Sequence, residues 1–175
     1  MLFRSGYSTQ MVLKEDAKPA LVAQSLDAFI RADDDLTLPD SERLALARQI
    51  LERFDATDMV DYQWFVRQSV TFNAFLTRQL DVLKIIKKYP IRGHHNTRYY
   101  EYDLDFLGQN KLGQMVLIIN DPMYGDLKKQ KSEAIIRYGA RLYVAGKKVT
   151  SAFKNPKLRY FVHYPLNGTV VELEF

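Results

Sequence analysis

The chain contains no cysteine. Disulfides, thiolate metal sites and cysteine nucleophiles are therefore excluded together, and a reducing, cytoplasmic setting is the expectation. Long apolar runs are missing too. The longest, Met115 to Ile119, is strand-sized, far short of the roughly 20 residues a membrane helix needs. The stretch Met1-Leu2-Phe3-Arg4-Ser5-Gly6 has no apolar block or small-residue cleavage site of a secretory signal. A soluble protein without a membrane partner is expected.

Several catalytic signatures are absent as well. Gly108 and Gly113 fall in a turn rather than at a strand-to-helix junction, so no phosphate loop forms there. There is no Gly-x-Ser-x-Gly and no His-Glu-x-x-His. The nuclease core Pro-Asp…Asp/Glu-x-Lys also fails: Pro39-Asp40 begins a helical pattern, and no Asp-x-Lys or Glu-x-Lys follows on a strand. Asp33-Asp34-Asp35 with Asp40 lacks the glycine and terminal glutamate of a calcium loop and reads as a solvated turn. No cofactor is implied.

What the chain does have is enough apolar material for a core, 47% hydrophobic with 13% aromatic. It also has an uneven charge. Residues 1–89 carry 12 Lys and Arg against 13 Asp and Glu, and residues 122–175 carry 10 against 4. The last third supplies the whole net charge of +4.

The first half reads as helical. Pro19 to Ala32 places Leu21, Val22, Leu26, Phe29 and Ile30 on one stripe behind a proline suited to the first turn. A second helix is capped by Asp40 or Ser41 and buries Leu44, Leu46, Ile50, Leu51 and Phe54. Helical spacing continues from Ala56 to Tyr89, capped at Thr57 or Asp58. A break is expected near Gln68-Ser69-Val70-Thr71, with Lys84, Lys87 and Lys88 in the last turn before Pro90. Ahead of these, Gln10 to Lys14 offers one short strand.

The pattern changes at His94 to Phe106. Tyr100, Tyr102, Leu104 and Phe106 alternate with Tyr99, Glu101, Asp103 and Asp105, the signature of a half-buried strand. Gly108 to Gly113 turns the chain, and Gln114 to Asn120 returns as a central strand. Residues 126–138 read as a short helix, with Leu127, Ile135 and Ile136 inward, that gives way to strand near Tyr138. A hairpin about Gly146 then joins Arg141–Ala145 to Lys148–Phe153. At the end, Asn167-Gly168 suits a type I′ turn and sets Leu166 opposite Thr169, Tyr164 opposite Val171, Val162 opposite Leu173 and Tyr160 opposite Phe175. The same register faces His163 with Glu172 and Phe161 with Glu174, and runs the last strand out to Phe175. The expected class is α+β. N-terminal helices (about 19–89) pack on a mostly antiparallel small barrel or curved sheet (about 97–175), an OB-like arrangement being one form of it. Regions 1–89 and 90–175 are expected to form one unit.

Three functions compete. The basic, aromatic-containing end favours a non-catalytic nucleic-acid binder that uses Lys128, Lys129, Lys131, Arg137, Arg141, Lys147, Lys148, Lys157 and Arg159, with Phe161 stacking on a base. The tyrosine-rich strands also suit a protein–protein interaction module. Third, His94 and His95 with Glu101 and Asp103, joined by His163, are ligand types for a divalent ion in a metal-dependent nuclease or hydrolase.

Overall fold

The computed structural model describes residues 3–33 and 38–175; side chains are described from Gly6 onward, apart from that of Leu127. Met1, Leu2, Asp34, Asp35 and the inward placement of Leu127 lie outside the described residues. The class is α+β. In chain order come β1 (Phe3–Gly6), α1 (Pro19–Ala32), α2 (Asp40–Arg53), α3 (Tyr62–Arg78), β2 (Val82–His95), β3 (Arg98–Asn110), β4 (Met115–Asn120), α4 (Leu127–Ala152), β5 (Leu158–Tyr164) and β6 (Thr169–Leu173). The strands form one six-stranded sheet in the order β1-β6-β5-β4-β3-β2. All neighbours are antiparallel except β4 and β5, which run parallel because α4 carries the chain back between them.

This is an open sheet, so the barrel and the OB-like arrangement are overturned. A single parallel pair with a helical crossover needs both faces covered, and both are. Helices α1–α3 lie on one face, where Phe29, Phe65, Phe72, Phe106, Val116, Ile118 and Phe161 share a core. Helix α4 lies on the other, where Tyr138, Leu142 and Val149 meet Leu117, Ile119, Val162 and Tyr164. Every residue of Met115–Ile119 is buried, as expected of a central strand.

Helix α1 has the expected bounds, whereas α2 begins at Asp40 with Pro39 at the N-cap and no side-chain cap bond, so neither Asp40 nor Ser41 caps it. Asp33, read as solvated, is buried. Its carboxylate accepts from Arg43 Nε and from Ser69 Oγ, both at 3.0 Å, and so joins α1 to α2 and α3. Helix α3 has no break. It is capped by Asp61, which accepts from the Gln63 amide, and not by Thr57 or Asp58. Gln68 and Ser69 face inward because each has a tertiary partner: Gln68 donates to the carbonyls of Thr9 and Pro165, and Ser69 donates to Asp33.

Two elements change identity. Residues 82–95 form a strand, not the last turns of a helix. Its pairing shifts between Val82 and Lys84, and Lys88 has φ of 59°. An added residue turns the spacing of two into three, which mimics a helix. Lys87, expected to sit in the last turn of its own helix, instead donates to the carbonyls of Ile30 and Arg31 and caps the C-terminus of α1. Pro90 is accommodated because β2 is an edge strand.

Conversely, residues 127–152 form one helix with no hairpin at Gly146. A Cβ at Gly146 would strike the Tyr160 hydroxyl and come within 2.8 Å of Cε1 of that ring. The glycine marks close helix–sheet approach rather than a turn. Ile135 and Ile136 are exposed, not inward.

In the last hairpin, a short 3₁₀ turn at Pro165–Asn167 with Gly168 in the left-handed region replaces the two-residue turn. Tyr164 then pairs with Thr169, His163 with Val170, Val162 with Val171, Phe161 with Glu172 and Tyr160 with Leu173. The register moves by an even step, so each side chain keeps its expected face. Strand pairing stops at Leu173, short of Phe175. At the other end, the early strand is Phe3–Gly6, while Gln10–Lys14 contributes a single bridge, Leu13 to Val60. Residue 90 falls inside β2, and β1 pairs with β6, so the sheet draws strands from both regions.

Candidate nucleic-acid interface

Helix α4 is the only helix of its layer among the described residues, and one stripe anchors it. Ala134, Tyr138, Leu142, Ala145 and Val149 recur at helical spacing and are buried on the sheet. The side chain of Asp126 caps the first turn by accepting from the Lys129 amide at 3.1 Å. With 26 residues the helix runs about 39 Å. The helix carries Lys128, Lys129, Lys131, Arg137, Arg141, Lys147 and Lys148, all exposed, against Glu133 as its one acid.

These cations differ in freedom. Lys129 reaches Glu133 at 3.5 Å, and Arg137 meets the buried Asp121 at 3.0 Å. Lys128, Lys131, Arg141, Lys147 and Lys148 form no ion pair among the described residues. Two stand over aromatic faces: the Arg141 guanidinium 4.7 Å from the Tyr102 ring and the Lys147 ammonium 4.7 Å from the exposed Tyr143. The Tyr102 hydroxyl donates to the Arg141 carbonyl, and burial pushes that phenol up to about 12. The hydroxyl therefore stays protonated and holds the β2–β3 ribbon against the helix. Gly93 helps, since a Cβ there would collide with the Tyr100 hydroxyl and come within 3.0 Å of Lys148 Nζ. Lys154 and Lys157 are exposed beyond the helix end.

Arg159 and Phe161 do not join this surface. Alternation along β5 turns them to the α1–α3 face, where Phe161 is 2% exposed and buried in the core. It is not available to stack on a base. Arg159 gives both its hydrogen bonds to Glu172, at 2.7 and 3.0 Å.

The histidine–carboxylate stretch is not assembled either. His94 pairs across the ribbon with Tyr99, and His95 with Arg98, at a tip turned by Asn96 and Thr97. Glu101 is held by Arg92 at 2.8 Å and accepts from the Tyr99 hydroxyl, while Asp103 lies opposite Pro90 and faces outward. His163 lies in β5, buried and stacked on Phe72 with ring centroids 3.9 Å apart, and its ring bonds Asn120 and Tyr7. Among the described residues no three His, Asp or Glu side chains are grouped so as to hold a metal ion.

The ordered polar chemistry lies elsewhere, at the C-terminal ends of the parallel strands β4 and β5. Asp27, Asp105 and Asp121 line a pocket of about 150 Å³ there. Each of their oxygens has a protein partner. Asp27 takes Asn120 Nδ2 and Arg31; Asp105 takes Lys88 Nζ and the Asn120 amide; Asp121 takes the Met123 amide and Arg137. Burial, and then the charge of Asp105, raise the Asp27 carboxyl above its ordinary value.

The direction of donation continues inward. Asn120 donates its amide to Asp27, so its oxygen accepts from His163 Nδ1–H at 2.9 Å, and Nε2 accepts from the Tyr7 hydroxyl at 2.7 Å. Burial lowers the His163 pKa from 6.5 to about 3 and raises that of Tyr7, which keeps both neutral. Asp121 Oδ2 is buried without a hydrogen bond and is met by the Arg137 ion pair, whereas the oxygens of Asp27 and Asp105 are all held, and the network ties the strand ends to α1. No motif spacing signals it, because its members are spread from Tyr7 to His163.

No protein-family model matches the chain, and no curated protein matches it. No described helix is long and apolar enough to cross a membrane.

Proposed function

We propose that the protein binds nucleic acid through the outer face of α4, led by phosphate contacts. The observation that carries this reading is the composition of that helix, seven exposed bases against one acid. Helices α1–α3 together hold six bases against four acids, so the excess is local. A local excess of cations attracts a polyanion whatever its base sequence. Tyr143, exposed beside Lys147, adds a surface for an unstacked base.

Binding to single- and double-stranded oligonucleotides tests it. If about five cations meet phosphates, affinity falls with salt at a log–log slope near −4 to −5. Reversing Lys147→Glu with Lys148→Glu removes two of these contacts, cuts that slope by about 2 and weakens binding at least about tenfold. The same reversal on α2 and α3, Arg53→Glu with Arg78→Glu, leaves binding largely intact. No binding at low salt, or equal damage from both pairs, refutes the reading.

A further inference from the structure

Strand β2 is the free edge of the sheet opposite β1, paired on one side with β3. Proteins usually blunt such an edge with lysine, proline or a local distortion. The distal half of β2 is blunted in this way by the positive φ of Lys88 and by Pro90. The proximal half carries Lys84, Lys87 and the pairing shift between Val82 and Lys84, but from Lys84 to Lys87 its pairing is regular, and Leu83 and Ile86 stand 65% and 47% exposed along it.

This half forms the floor of a groove of about 780 Å³, walled by Leu76 and Thr77 of α3 and Arg31 of α1. The shape is a sheet edge beneath an overhanging helix, which offers backbone donors and acceptors together with apolar contact. An extended peptide uses both at once by adding a strand.

We propose that the groove receives an extended peptide in which apolar and acidic residues alternate, laid along β2 as a seventh strand. The charge of the walls argues for that occupant. Arg31, Lys84 and Lys87 line the groove, and no Asp or Glu does. Lys84 makes no ion pair among the described residues, while Lys87 and Arg31 are held in place by the α1 carbonyls and by Asp27. A second copy paired edge to edge would bring these cations against their own counterparts. Nucleic acid would meet Leu83 and Ile86 but could not use the backbone ladder. Six residues of edge give about 20 Å of pairing, enough for a short segment. The proposal is independent of the α4 reading, since the groove lies on the sheet face opposite that helix.

A dye-labelled peptide of about eight residues, alternating valine and glutamate, is the probe, followed by fluorescence anisotropy on the full chain. It is expected to bind at least about tenfold more tightly than a valine–lysine counterpart. Methylating alternate backbone nitrogens of the peptide should abolish binding, and Lys84→Glu should weaken it at least about fivefold. Amide exchange should slow along residues 82–87 and leave α4 unchanged. Unchanged thermal unfolding of Lys84→Glu separates a lost contact from a lost fold. The proposal is overturned by equal binding of the lysine peptide or of the methylated peptide, or by no saturable binding near 1 mM. Self-association through β2, or displacement of the peptide by an oligonucleotide without change at α4, overturns it as well.

Discussion

The two faces of the sheet solve the same burial problem with opposite use of charge. On the α1–α3 face, charges and polar groups go inside in matched sets: Arg43 with Asp33 and Ser69, and Tyr7, His163 and Asn120 leading to Asp27. On the α4 face the buried polar set is smaller, Gln130 with Thr169 and Asp121 with Arg137, and most of the helix's cations are left outside without an acid partner among the described residues. Charge spent on internal partners specifies geometry. Charge left unpaired in water remains available to a partner molecule. The contrast therefore separates buried charge that sets the architecture from exposed charge that is left open to solvent.

The contrast can be broken most directly at Arg43. Arg43→Ala leaves Asp33 buried without its cation and should cost about 3–5 kcal/mol, read by urea denaturation. A loss below 1 kcal/mol would mean that the buried pair does not organise the helical layer.

Next in size is a pH effect. The folded-state pKa of His163 is depressed from 6.5 to about 3, so the unfolded chain binds the extra proton between those values. Stability from this group is complete above pH 6.5 and is lost as pH falls towards 3, on the order of 4 kcal/mol across the window. His163→Gln should flatten that part of the profile. If the variant follows the same slope, other groups govern acid unfolding.

A smaller effect distinguishes the two helical glycines of α4. Gly146→Ala drives a methyl into the Tyr160 ring and should cost about 1–3 kcal/mol despite better helix propensity. Gly139→Ala meets Cγ1 of the exposed Ile135 at 3.1 Å, a contact relieved by a shift of a few tenths of an ångström, and should change thermal stability by less than about 0.5 kcal/mol. Lys87→Met removes the donor to the α1 carbonyls and should cost about 1 kcal/mol by urea denaturation.

Where local rules act alone, the sequence was legible. Pro19 and the stripe behind it fix α1, the apolar run at Met115–Ile119 fixes a central strand, and the faces of β5 and β6 follow from alternation even though their turn does not. Reading failed where tertiary structure overrides spacing. Displaced pairing in β2 imitates helical periodicity. Gly146 imitates a turn because a glycine that admits a ring and a glycine that reverses the chain look alike in one dimension. Of the interface, the cations were visible in composition, whereas the diversion of Arg159 and Phe161 to the opposite face depended on which helices cover it. The Tyr7–His163–Asn120–Asp27 chain was illegible because contact between residues so far apart is decided by topology.

The β2–β3 ribbon changes sides as it runs. Ile85 and Phe106 belong to the α1–α3 core, yet Tyr89, Ile91, Tyr102 and Leu104 pack towards α4. Both strands reverse at the same level, around Lys88 and Asp105, whose side chains join at 2.6 Å. The ribbon thus behaves like a text with a shared change of reading frame. Losing one residue from β3 at Asp103 would turn Tyr100 and Tyr102 out of contact with α4, and losing Pro90 from β2 would turn out the residues beyond it, while the near end still fits. Natural length variation in this hairpin should therefore occur at the Asn96–Thr97 tip, or in both strands together.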